Sequence, residues 1–207
     1  SGKDTVGGMI GFAQGVQITN SFSSSEVTSE GYAGGLIGQG IDETTCENSA
    51  SVGNVTGGST VGGLAGMLYG GKVIDSYSKG DVTGNNYAGG LIGAHYSEDS
   101  QILDSYSIGN VTGDDTVGGL VGGHFGNKIA NSYSKGNITG KGYVGGLVGQ
   151  MFYSNGEISN SYSEGTVTSE QNAAGGLIAH FYSLKVIDSY FKGDVTGNDY
   201  AGGLIAN

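Results

Sequence analysis

The sequence predicts an all-β fold, a parallel β-solenoid of about seven coils with three short strands in each. Three observations predict it. A glycine doublet begins at Gly7, Gly34, Gly62, Gly89, Gly118, Gly145, Gly175 and Gly202, in steps of 27, 28, 27, 29, 27, 30 and 27 residues. A fixed period in this range marks a stacked-repeat architecture. Leucine follows the doublet in seven of the eight copies, and Met9 in the first, so apolar residues keep register with the glycines. Each unit holds extended segments too short, too β-branched or too glycine-rich for a helix, where every interior glycine would cost about 1 kcal/mol.

One copy shows the three segments. Val73-Ile74-Asp75-Ser76-Tyr77-Ser78 is followed by Asp81-Val82-Thr83, and Ala88-Gly89-Gly90-Leu91-Ile92 closes the coil. Glycines or polar pairs separate them, as strand boundaries require. Two residues before the Asn/Asp of the first segment stand Ile18, Cys46, Val73, Ile102, Ile129, Ile158 and Val186. Beyond it stand Val27, Val55, Val82, Val111, Ile138, Val167 and Val195. With the leucines these make three apolar files. Parallel strands stack ~4.8 Å apart, so equal side chains in a file touch, and stacking buries what one coil cannot.

The polar files carry the finer expectations. Asn20, Asn48, Asp75, Asp104, Asn131, Asn160 and Asp188 read as a corner ladder bonded to the backbone of adjacent coils, with Asp75 and Asp104 as repelling neighbours. The file Phe22, Ala50, Tyr77, Tyr106, Tyr133, Tyr162 and Tyr190 is in conflict. Alternation counted from the preceding Val/Ile points it inward, and counted from the following Val it points outward, so a kink lies within Asn-Ser-Tyr-Ser. Two residues before the doublet, Thr5, Tyr32, Thr60, Tyr87, Thr116, Tyr143, Ala173 and Tyr200 alternate. Longer connections follow the tyrosine copies, beginning near Gln39, His95 and Met151, which makes the duplication unit two coils. The chain starts and stops within a repeat, as expected of one solenoid domain over residues 1–207 within a longer protein.

Composition narrows function. Nineteen acidic residues against eight lysines, with no arginine, give a net charge of −11. That balance repels phosphate backbones and argues against nucleic-acid binding. No apolar run approaches a membrane span, so membrane insertion is not expected. The lone cysteine, Cys46, forms no internal disulfide and sits in an apolar file. His95, His124 and His180 do not make up a metal set, since a third ligand beside the first two is not indicated. The nonapeptide of calcium-binding β-rolls and the Gly-x-Ser-x-Gly elbow are both missing from the sequence, so neither a cofactor nor catalysis is expected. Asn54, Asn110 and Asn137 head Asn-x-Thr sequons that the repeat itself generates. The aromatic file Tyr69, Tyr96, Phe125, Phe152 and Tyr182 reads as corner packing, with stacking on sugar rings as the functional alternative.

One file is a candidate binding surface. Thr28, Thr56, Thr83, Thr112, Thr139, Thr168 and Thr196 form an unbroken series, each beside a buried Val or Ile and therefore facing outward. A hydroxyl-and-methyl ladder at ~4.8 Å spacing is the kind of array that orders water into an ice-like lattice. Its outward neighbours Glu26, Asn54, Asp81, Asn110, Asn137, Thr166 and Asp194 include charges that would disturb such a lattice.

The combination Gly-Gly-Leu-Val-Gly with Asn-Ser-Tyr-Ser and Val-Thr-Gly, as at Gly118 to Gly122 and Asn131 to Gly140, resembles the GLUG repeat along essentially the whole chain. The resemblance implies a large bacterial surface or secreted protein, among adhesin-like molecules and relatives of immunoglobulin A peptidases. Together with the crossover preference of parallel strands, it underlies the right-handed expectation. It does not imply an enzyme in this chain, which lacks the His-Glu-x-x-His of a zinc protease. The expected function is a non-catalytic extracellular segment at the bacterial cell surface, a spacer or a binding surface for a host glycan or protein. The alternative is ice binding through the threonine ladder.

Overall fold

The computed structural model describes residues 1–153 and 156–206, and every helix or strand among them is a β-strand. The strands form five parallel sheets, one of eight strands and four of seven, in which each strand pairs with those five places earlier and later in the chain. The molecule is a β-solenoid of about seven coils. One coil runs through Thr60–Gly62, Ala65–Tyr69, Lys72–Ile74, Tyr77–Lys79 and Val82–Thr83. Register is strict: Gly62 lies beside Gly34 and Gly89, and Val55 beside Val27 and Val82.

Five strands stand in each coil where three were expected, because two of the three segments turn a corner within themselves. In the doublet segment the turn falls at Gly63-Leu64. There the Leu91 carbonyl of the next coil accepts from both the Leu64 and the Ala65 N–H, at 2.8 and 3.1 Å, so the chain bends without losing its neighbour. In the first segment the turn falls on the Asn/Asp file. All seven members adopt left-handed φ between 45 and 51°. Asn and Asp tolerate that region better than other side chains because their short polar groups bond locally.

This corner resolves the tyrosine conflict. The left-handed residue resets the alternation, so Ser76 and Ser78 point inward at 1% and 3% exposure and Tyr77 between them points out. The ladder expected on the Asn/Asp file lies mainly on the following serine. The N–H of Ser49, Ser76, Ser105, Ser132 and Ser161 each donates to the serine Oγ of the next coil at 3.1–3.2 Å. The Ser76 Oγ donates in turn to the Ile74 carbonyl at 2.7 Å, and its neighbours repeat the bond. Buried corner amides are thereby satisfied without water. The Asn/Asp side chains meet one another at two levels, Asn48 with Asn20 and Asn131 Nδ2 with Asp104 Oδ1.

The interior is two apolar channels rather than one. The larger holds the leucine file, the Ile37–Ile178 file after it and the Ile18–Ile158 file, Cys46 included. The smaller holds the valines of the Val-Thr strands against Ala33, Val61, Ala88, Val117, Val144 and Ala174. Between them the coil narrows to a serine–glycine waist. Ser78, Ser107, Ser134 and Ser163 donate across it to the carbonyls of Gly90, Gly119, Gly146 and Gly176. Ser51 makes no such bond.

The waist explains the doublet. A Cβ on its first glycine, as at Gly118, would overlap the Val121 carbonyl across the corner. A Cβ on its second, as at Gly119, would overlap the Gly146 carbonyl of the next coil and the facing Ser134. Neither position needs a left-handed φ; both need absence of bulk.

Three buried residues carry titratable groups, Cys46, His95 and His124. Burial pushes the Cys46 thiol up to about 11, so it behaves as the small apolar residue the sequence suggested. His95 and His124 stand one above the other, ring centroids 5.4 Å apart, both without solvent exposure. They lie inside a strand rather than in the loops expected to begin near them. Burial lowers His95 to about 4 and holds His124 well below the usual imidazole range, with the neighbouring His95 adding to the effect.

Two predictions follow from these contacts. Gly119→Ala should cost about 3 kcal/mol or more in denaturant unfolding. Gly203→Ala, whose Cβ would meet nothing within 4 Å, should stay within about 0.5 kcal/mol. Equal losses would remove the waist argument. The histidines bind protons more readily unfolded than folded, so their contribution is present above pH ~6.5 and is lost as pH falls toward 4. For His95 the loss between pH 7 and pH 5 is about 2 kcal/mol. Replacing both by Leu, the residue at Leu68 one level before them in the file, should flatten the fall in thermal midpoint over that range. An unchanged slope would show that the pair is not what acid attacks.

Candidate functional site

The outer surface consists of files, and each file inherits its direction from the strand that carries it. The seven candidate threonines are aligned by register into one continuous ladder, Thr28 to Thr56, Thr83, Thr112, Thr139, Thr168 and Thr196. Five are exposed, and Thr139 and Thr168 are half-buried. The strands are only two or three residues long, so this face is one threonine wide.

The adjoining polar file is not loose charge. The Oδ1 atoms of Asn54, Asp81, Asn110 and Asn137 accept the backbone N–H of the equivalent residue in the next coil, at 2.8–3.1 Å. The three sequon asparagines thus belong to a backbone-bonded ladder. The corner file is Asn or Asp at all seven levels, whereas this one admits Glu26 and Thr166, and the backbone-bonded role of its Asx members was not read from the sequence.

The most regular surface feature is aromatic. Tyr77, Tyr106, Tyr133, Tyr162 and Tyr190 stack with ring centroids 4.8–5.0 Å apart and planes within 4° of parallel. Lys79 lies 5.1 Å from the Tyr77 ring centroid, and Lys135 lies 5.5 Å from both Tyr133 and Tyr162 while pairing with Glu164 at 3.1 Å. The file was legible in the sequence, but its outward direction was not, because it depends on the left-handed corner.

A second aromatic file follows the strands after the doublet. Tyr96, Phe125 and Phe152 are half-buried and stack at 4.4 and 4.0 Å, which matches the corner-packing expectation. Its ends, Tyr69 and Tyr182, are 58% and 68% exposed. The connections after the tyrosine copies begin at 42, 97 and 152, the first two running to 44 and 100 and the third passing outside the described residues; the connection after the Thr116 copy, 125–127, is as long as the first. The alternation before the doublet is also structural. Tyr32, Tyr87 and Tyr143 are half-buried, while Thr60 and Thr116 beside them are 5% and 2% exposed.

His180 stands apart from the buried pair, with Nδ1 3.0 Å from Gln150 Nε2 and its ring 4.8 Å from Tyr143. Among the described residues no group of three or more His, Cys, Asp or Glu is arranged to hold a metal ion. No helix of the described chain is long and apolar enough to cross a membrane.

A family profile described as the GLUG motif matches residues 57–83, 113–139 and 140–168. No curated protein matches the chain, and no solved structure matches it. Each matched segment spans about one coil, from one Val-Thr strand to the next, and the register carries the same pattern through the coils on either side. The GLUG motif therefore occurs three times in this chain, and each copy is about one coil of the parallel β-solenoid.

Proposed function

We propose that this chain is a non-catalytic, extracellular segment of a bacterial surface protein of the adhesin-like kind, serving as a spacer and as a binding surface. One observation carries the reading: the same outward residues recur at every level of a stiff column, at the ~4.8 Å spacing of stacked strands. A repeated surface suits an extended or repeated partner, because many weak equivalent contacts on one body add up to avidity without any single deep site. The GLUG motif and the solenoid fold support a structural rather than an enzymatic role. The partner in this reading is a host glycan or a host protein, met at the tyrosine ladder or at the exposed ends of the second aromatic file.

A second reading, ice binding, is favoured by one specific observation. The threonine ladder is unbroken over seven levels, and the polar file beside it is fixed by backbone hydrogen bonds rather than mobile. Against it stand the ladder's single-residue width and the carboxylate of Asp81 within the adjoining file.

The experiment is a pair of measurements on the same preparation. Immobilised protein is probed against an array of host glycans and extracellular-matrix proteins, and micromolar protein is watched for faceting of a growing ice crystal. The first reading expects saturable glycan or protein binding and round, unshaped crystals. Faceted crystals with a freezing gap that Thr112→Tyr abolishes would replace it with the second. Hydrolysis of any array component by this chain would contradict both.

A further inference from the structure

The tyrosine ladder is interrupted at one level, and the interruption has the dimensions of a site. Ala50 pairs with Phe22 on one side and Tyr77 on the other, so the file reads ring, methyl, ring. Phe22 and Tyr77 are two levels apart, about 9.6 Å at the strand spacing. Elsewhere in the file each level holds a ring 4.8–5.0 Å from the next. The missing ring leaves a slot one flat group thick. Ala50 forms its floor at 6% exposure, shaded from either side, while Phe22 is 56% exposed. A surface depression surrounds it, lined also by Asn20, Asn48, Ser49 and Asp75.

The rim selects charge. Asp75 borders the slot, and Glu47 and Asp104 border the groove that continues from it. Among the described residues no hydrogen-bond donor satisfies the Asp75 carboxylate. Lys79 is the nearby cation, and it lies along the Tyr77 ring, as Lys135 lies along Tyr133 and Tyr162. Of the three lysines in this register, Lys79 and Lys135 lie on ladder rings and Lys192 does not. A flat cation fits better than an ammonium, since a guanidinium stacks on ring faces and its fork matches a carboxylate. This chain contains no arginine, so the group must be brought by another molecule.

We propose that the slot between Phe22 and Tyr77, floored by Ala50 and gated by Asp75, binds the guanidinium of an arginine side chain on a partner protein. The site goes beyond the repeated-surface reading, because it exists only where the repeat is broken.

The test titrates isotope-labelled protein at low salt with the blocked tripeptide acetyl-Gly-Arg-Gly-amide, following backbone amide shifts, with matched Lys and Phe tripeptides as comparators. The expected result is saturable shifts at Ser49, Ala50 and Ser51, with the Lys peptide about tenfold weaker. Ala50→Tyr, which supplies the ring that five other levels hold, should abolish the shifts. Asp75→Asn, an exposed change that leaves the ladder intact, should weaken binding about tenfold. No saturable shift at tens of millimolar Arg peptide overturns the proposal, as does equal binding by a folded Ala50→Tyr variant. A Phe peptide binding more tightly than Arg, with Asp75→Asn silent, would overturn it in favour of a neutral ring.

Discussion

The close approach of backbone to backbone at the serine–glycine waist is the constraint on which the rest of this solenoid depends. With no Cβ on either member of the doublet, successive coils come together at Gly119 and Gly146 and at every equivalent pair. The facing serine then reaches a glycine carbonyl across the interior. That bond divides the core into two narrow channels, each of which files of single apolar residues can fill. A bulkier waist would separate the channels' walls and leave voids that no Val or Leu spans, at the cost cavities carry in packed interiors. The regular outer files follow from this inner regularity, because strands held in strict register leave their outward side chains no choice of level.

Polar atoms inside such a core need partners at the same repeat. The corner serines supply them by giving each Oγ two duties, accepting from the amide of the coil before and donating to a carbonyl of their own strand. Outside, the Asx file beside the threonines runs the opposite way, each side-chain oxygen accepting from the amide of the coil after. The two fully buried histidines break this economy: His124 has neither ring nitrogen bonded and His95 lacks a partner at Nδ1. They occupy space that Leu68 and Met151 fill at adjoining levels, and their burial disfavours the charged imidazole.

Much of this was legible in the residues. The period, the parallel stacking, the apolar files and the alignment of Thr28 through Thr196 all follow from counting, since a two-residue alternation and a fixed repeat leave little freedom. The number of strands per coil did not follow, because Asp75 and Gly63-Leu64 turn corners that read as continuous extended chain. For the same reason the direction of Tyr77 was undecidable: one residue in left-handed conformation inverts every face after it, and only the folded corner shows which residue that is. The ladder role went to Ser76 rather than Asp75 because the corner residue spends its own geometry on the turn. Ala50 stood in the sequence as a mere exception in its column, and only the outward direction of its neighbours makes the exception a cleft.

The alternation of Tyr32, Thr60, Tyr87 and Thr116 sets the arithmetic by which such an array can lengthen. Each small threonine lies covered between two large rings, so a copying event that adds a single coil places like against like at the junction, ring on ring or hydroxyl on hydroxyl. Adding coils two at a time restores the fit at both seams. Related arrays should therefore differ in length by even numbers of coils, with odd differences marked by a substitution at the seam, as Ala173 already softens one threonine position here.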